Sequence, residues 1–287
     1  MTVVVGYRAG QVGLSGLHLA VRAARTLGTS VTVATIVPKP WLTPSRDYDD
    51  WSDRLAAESA EEAARFLRDP AGGVDVAYVH RAHRSVAGGL IETVEDAGGD
   101  LLVLGSLPSG GRGQVVIGST ADWLLHASPV PVAISPRESR SHTGTLTRLT
   151  CAYSATPGTV DVVRRCLESA ERFGVSTRVL TFAVRGRTMY PPKVGLDAED
   201  AILDAWVAQA REMLEDLKTR HIAGDDVLLD VVAGQSWDEV LGKVSWVDGE
   251  ILALGTSPRG DIRRVFLGSR STKIIRNSPV PVLVLPG

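Results

Sequence analysis

Cysteine is nearly absent: Cys151 and Cys166 are the two present in 287 residues. That excludes a disulfide framework and a cysteine-built metal centre, and it fits two buried thiols in a reducing cytoplasm. No charge of one sign dominates, since 31 Lys+Arg face 33 Asp+Glu for a net charge of −2. Nothing global therefore draws the chain to nucleic acid or to an anionic membrane. A run of about 18 apolar residues is missing, so no membrane span is expected. The segment Met1–Gly6 has no basic region ahead of its valines. It reads as a first strand and not as a secretion signal.

Several chemical signatures are missing too. There is no Gly-x4-Gly-Lys-Ser/Thr phosphate loop and no well-placed Gly-x-Gly-x-x-Gly. His80 and His83 are three apart without a carboxylate or cysteine to complete a metal site, so they read as a surface pair. No nucleophile–base constellation stands out. An enzyme is not expected. A slow ATPase would need acids near a phosphate loop, where the sequence offers Asp122 and Asp261.

What is present is a repeat. Hydrophobic residues are 44% and charged residues 22%, and the length suits two domains, each with its own core. Leu101–Gly105 recurs as Ile251–Gly255, Gly118-Ser119 as Gly268-Ser269, and Ser128–Val132 unchanged as Ser278–Val282, all at one offset. Tyr7 and Tyr153, and Gly28 and Gly174, share a slightly smaller offset. The polar stretch Glu138–Thr145 reads as a linker, giving domains 1–137 and 148–287.

Each half alternates strands and helices. The strands fall near Val3–Tyr7, Ser30–Val37, Val74–Val79, Leu101–Leu104 and Val130–Ile134. Their counterparts are Leu149–Tyr153, Ser176–Val184, Val227–Val232, Ile251–Leu254 and Val280–Leu285. Helices are expected at Gly16–Leu27, Ser52–Arg68, Val86–Ala97 and Ser119–His126, and at Thr159–Phe173, Glu199–Arg220, Trp237–Val247 and Ser269–Arg276. Short apolar strands linked by helices imply an α/β fold: two tandem doubly wound parallel five-stranded sheets with helices on both faces. Trp41–Trp51 and its counterpart Arg185–Asp200 read as long loops over the carboxyl edge, candidate lids or partner surfaces.

Ligands of such sheets bind beyond the carboxyl strand ends. There lies the loop Gly105–Gly113, leading to Gly118-Ser119-Thr120 at a helix start. Its twin Gly255–Asp261 leads to Gly268-Ser269-Arg270. A Gly-Ser turn at a helix N-terminus offers N–H groups, a hydroxyl and the positive dipole end to a phosphate.

This pattern resembles the universal stress protein family over both halves. Its nucleotide-binding members carry a glycine, two residues, a second glycine, nine residues, then Gly-Ser or Gly-Thr. Gly105 with Gly118-Ser119, and Gly255 with Gly268-Ser269, match the ends of that motif. Pro108 and Pro258 replace its second glycine. The resemblance implies an adenine nucleotide alpha-hydrolase-like fold and a regulatory adenine nucleotide, ATP with Mg, in a cytoplasmic stress response. It further implies adenine contacts at Ile36 and Phe182, and a partner contact through the fifth strands, in a homodimer or between the halves of one chain. The family's aspartate after strand 1 is replaced by Arg8 and Ser154, and a proline removes a donor from each loop. These departures favour the alternative of an interaction module without nucleotide. Between the halves, Arg259, Arg263, Arg264, Arg270 and Lys273 favour the second as a triphosphate site, whereas the first loop has Arg112.

Overall fold

The computed structural model describes residues 2–10, 14–41, 45–69, 71–107, 113–137, 144–154, 159–185, 196–258, 265–266 and 268–286. In the first half β1 is Thr2–Gly6, α1 Leu14–Leu27, β2 Ser30–Pro38, α2 Arg46–Leu67, β3 Val76–His83, α3 Val86–Ala97, β4 Gly99–Gly105, α4 Ser119–Ala127 and β5 Val132–Ser135. The second half repeats the order with β6 Arg148–Tyr153, α5 Thr159–Phe173, β7 Ser176–Val184, α6 Leu196–Thr219, β8 Leu228–Gly234, α7 Trp237–Lys243 and β9 Glu250–Gly255. It ends with α8 Ser269–Asn277 and β12 Val282–Leu285.

Short valine- and leucine-rich strands need cover on both faces, and they receive it. The order is β3-β2-β1-β4-β5 in the first half and β12-β9-β6-β7-β8 in the second, each half parallel throughout. One core, with Leu17, Leu67, Cys166 and Leu217, packs α1, α2, α5 and α6 on one face. The other, with Leu90, Leu124, Leu241 and Ile275, packs α3, α4, α7 and α8 on the opposite face. Both cysteines are buried in the first of these cores.

The two halves join through β5 and β12, which pair antiparallel at Val132↔Val284, Ala133↔Leu283 and Ile134↔Val282. The fifth-strand contact expected from the sequence thus forms inside one chain. With both edges occupied, a homodimer through the same strands has no free edge to use here.

Several details differ from expectation. Helix α2 starts at Arg46, so Arg46–Trp51 is helix and not loop. Ser45 caps it by accepting the Tyr48 N–H, a cap masked by the acidic, aromatic run that follows. Helix α6 starts at Leu196, so residues 196–200 are likewise helix and not loop, and residues 42–44 and 186–195 of the two candidate lids lie outside the described residues. Strand β3 runs on to His83 because it pairs with β2 as far as Pro38↔His83. Helix α7 stops at Lys243, and beyond it the Trp246 indole N–H donates to the Leu241 carbonyl at 2.8 Å. The second glycine loop contains a short hairpin, β10 Ser257–Pro258 with β11 Val265–Phe266, which periodicity cannot reveal in two-residue strands.

Candidate functional site

At the carboxyl edge of the first half, several elements end around one cavity of about 280 Å³. Strand β1 ends in Gly6, with Tyr7 and Arg8 just beyond it, and β2 delivers Ala34 and Ile36. Helix α3 contributes Val86 and Leu90, and β4 contributes Leu104 and Gly105. Gly118, Ser119, Thr120 and Ala121 arrive at the start of α4. All six first-half residues singled out from sequence line this one space: Arg8, Ile36, Gly105, Gly118, Ser119 and Thr120.

The cavity has two chemically different walls. Toward β2 and α3 it is apolar, with Ile36 and Leu90 both buried. Toward α4 it is polar. Gly118 caps α4 with an extended backbone and no side-chain hydrogen bond, so no capping side chain competes for the N–H groups of the first turn. A Cβ at Gly118 would lie 2.9 Å from Leu107 Cδ1, so glycine there allows Leu107 to close over the turn. The loop is braced where it returns: the Val116 N–H donates to Ser106 Oγ at 2.7 Å and the Leu107 N–H to the Val116 carbonyl at 3.1 Å.

Close packing holds the floor. A Cβ at Gly16 would stand 2.8 Å from the Gly105 backbone nitrogen, so α1 can lie directly against the end of β4 because residue 16 has no side chain. Tyr7 turns its hydroxyl away and donates to Glu62 Oε1 at 2.5 Å. Burial, reinforced by that bond, pushes the Tyr7 phenol far above its ordinary range. Arg8 is exposed and has no hydrogen bond or ion pair among the described residues.

The second half is built differently at the same place. The strand registers put Ala152 and Leu180 where the first half has Gly6 and Ala34. Phe182 stands for Ile36, and Trp237, first residue of α7, stands for Val86. The Phe182 and Trp237 rings meet edge to face with centroids 5.9 Å apart. Phe182 is therefore packed against its own domain. Gly255 ends β9 beneath Val162, whose Cγ2 would stand 2.2 Å from an added Cβ. Gly268, Ser269 and Arg270 are exposed at the start of α8, and Ser154 is half-buried beyond β6. Phe182 and Trp237 thus occupy the ground between strand end and helix start that is open in the first half. Sequence reading matched Phe182 to Ile36 but could not see that Trp237 reaches it. The signal was the replacement of Gly6, Ala34, Ile36 and Val86 by larger residues at all four positions.

Arg112, Arg259, Asp261, Arg263 and Arg264 lie outside the described residues, as does Pro108. Arg259, Arg263 and Arg264 make up most of the positive charge that distinguishes the second glycine loop from the first. No group of three or more potential metal ligands occurs among the described residues. His83 instead lies against Glu92, 3.5 Å away.

The model of the universal stress protein family matches residues 1–136 and 145–286. The chain belongs to that family. Universal stress protein Rv2319c of Mycobacterium tuberculosis is 63% identical over 292 residues, with all of both chains covered. Universal stress protein Mb2346c of Mycobacterium bovis is equally similar. Among solved structures, a universal stress protein from Archaeoglobus fulgidus superposes over 99% of this chain and 98% of its own, with TM-score 0.64 and 19% identity. One from Pseudomonas aeruginosa covers 99% of this chain and 92% of its own, with TM-score 0.58 and 14% identity. These two structures share the tandem fold. No helix among the described residues is long and apolar enough to cross a membrane.

Proposed function

We propose that the first half of this tandem universal stress protein binds an adenine nucleotide, ATP or a close relative, as a regulatory ligand in a cytoplasmic stress response. One observation carries the reading: a single cavity joins the apolar wall of Ile36, Val86 and Leu90 to the glycine-capped N-terminus of α4. A base packs on the first and phosphates accept N–H bonds from the second. The volume is at the lower end of ligand pockets, roughly 300–1,000 Å³, which suits a base and sugar with phosphates reaching toward solvent. No carboxylate is among the described residues that line the cavity. Mg accompanying ATP would therefore be held by phosphate oxygens and water. The second half, with Phe182 and Trp237 packed together at the matching place, serves as the structural partner.

The test starts with protein purified without added ligand. It is denatured, the supernatant is separated by anion exchange with detection at 260 nm, and the intact protein is titrated calorimetrically with ATP–Mg. Adenine nucleotide should co-purify or bind at micromolar strength. Gly118→Trp should weaken binding about tenfold or more, because Leu107 leaves no room for the ring. Gly268→Trp, at an open turn, should change it little. The reverse pattern would move the site to the second half. Absence of binding up to millimolar ATP would leave the interaction-module reading in its place.

A further inference from the structure

We propose that Arg8 makes the first-half cavity selective for adenine nucleotides carrying a phosphate on a secondary hydroxyl of the ribose, 2′ or 3′. The inference rests on the nucleotide reading above and adds the position of a phosphate to it.

The order of the strands sets the geometry. Strand β1 lies between β2 and β4. Ile36 belongs to β2, Arg8 follows the end of β1, and Gly105 closes β4 beside the start of α4. A nucleotide with its base against Ile36 and its 5′ phosphates at Gly118–Thr120 lays its sugar across the end of β1. Arg8 is what it meets there.

Among the described residues that line the cavity, Arg8 is the one that carries a charge. A guanidinium donates and never accepts. It cannot take hydrogen bonds from a ribose diol, and a bare diol gives it no charge to neutralise. A phosphate on the sugar matches it, because the planar fork pairs two N–H groups with two phosphate oxygens. Among the described residues nothing competes for Arg8, which has no ion pair or hydrogen bond with any of them. The nearest polar neighbour in sequence, Tyr7, has committed its hydroxyl to Glu62.

Three ligands with the same atoms isolate the effect: ADP, adenosine 3′,5′-bisphosphate and adenosine 2′,5′-bisphosphate differ only in where the second phosphate sits. Full-length protein is titrated with each by calorimetry, alongside Arg8→Gln and Arg8→Asp. Arg8 is exposed, so both variants should keep the parent's thermal midpoint. The parent should bind one of the two bisphosphates about tenfold or more tighter than ADP. Arg8→Gln should erase that ratio, weakening the favoured bisphosphate about tenfold more than ADP, and Arg8→Asp should favour ADP. If the parent binds ADP as well as both bisphosphates, or if Arg8→Gln leaves the ratio intact, the selectivity is overturned and the nucleotide site stands. If none of the three ligands binds, the nucleotide reading falls and takes the selectivity with it.

Discussion

Glu250 shows what a single residue can do out of sight of sequence patterns. Its side chain is fully buried at the start of β9. Oε1 accepts from the Thr150 hydroxyl and from Arg178 Nη2 at 2.5 Å, and Oε2 accepts the Val247 N–H at 2.9 Å. Arg178 is itself buried and lies 5.2 Å over the Trp246 ring. The first half meets the same place on β1 and β2 with hydroxyls, Thr2 and Thr32 standing 3.3 Å apart. Removing one partner of a buried pair strands the other charge in a low-dielectric interior. Glu250→Ala should therefore cost about 3–5 kcal/mol in denaturant unfolding. Replacing both partners, Glu250→Leu with Arg178→Met, should recover most of it. A loss below about 1 kcal/mol for Glu250→Ala would mean that Asp230, 3.8 Å from Arg178, or water takes over its charge. None of this was legible beforehand. Glu250 precedes an apolar run and Arg178 interrupts one, and either reads as a surface charge until the fold brings them together.

At the scale of elements, the halves solve one packing problem in opposite ways. Helices α3 and α7 start at matching caps, Ser85 and Ser236, each accepting an N–H three residues on. In the first half the strand before the cap ends in His83, and the first turn of α3 carries Gly88 and Gly89. A Cβ on Gly88 would stand 2.3 Å from His83 Cε1, and one on Gly89 3.0 Å from His83 Cβ. In the second half the strand ends in Gly234 and the helix carries Glu239 and Val240. A Cβ on Gly234 would meet Val240 Cγ1 at 2.9 Å. Bulk on the strand is exchanged for bulk on the helix. Gly88→Ala should thus destabilise the native protein, and in a His83→Gly background the same change should be neutral or stabilising, since alanine is the better helix former. The coupling between the two sites should be about 1 kcal/mol in a double-mutant cycle, and additive effects would sink the idea. Which helices and strands exist was readable from the repeat and the glycine stops: Gly28 and Gly174 both adopt positive φ, at 61° and 64°. Their ends were less readable. The edge strand β3 is exposed along most of its length, so no alternation marks where pairing stops. The first turns of α2 announce themselves only through the Ser45 cap. The glycine loop was legible for a different reason: its spacing appears twice, and Gly118 and Gly268 both cap a helix.

The whole molecule is built around one ten-stranded sheet and not as two beads on a string. Strand pairing continues from β3 to β8 through the antiparallel β5–β12 seam. The same two cores run under both halves. Ties between the halves lie away from the seam as well. Arg22 of α1 reaches Asp248 at 3.3 Å and the Thr145 carbonyl at 3.1 Å. Thr26 Oγ1 accepts the Leu146 N–H at 2.8 Å, and Arg172 of α5 pairs with Asp100 at 2.8 Å. A lesion at the seam should therefore be felt on both sides. Leu283 is the place to make it: it is 1% exposed and sits opposite Ala133. Leu283→Ala should cost about 2–5 kcal/mol, through lost burial and the cavity left behind. Native-state hydrogen exchange locates the loss, because it reports opening strand by strand. Amides of β4 and β5 should speed up together with those of β9 and β12, while unfolding stays a single transition. Faster exchange confined to β9 and β12, or two resolved transitions, would show that the halves are energetically separate. A ligand in the first-half cavity could then leave the second half untouched. With a shared sheet it cannot: binding that stabilises the ends of β1, β2 and β4 adds its free energy to the one cooperative unit. The same exchange experiment, repeated with bound nucleotide, should protect β9 and β12 along with the strands that touch it.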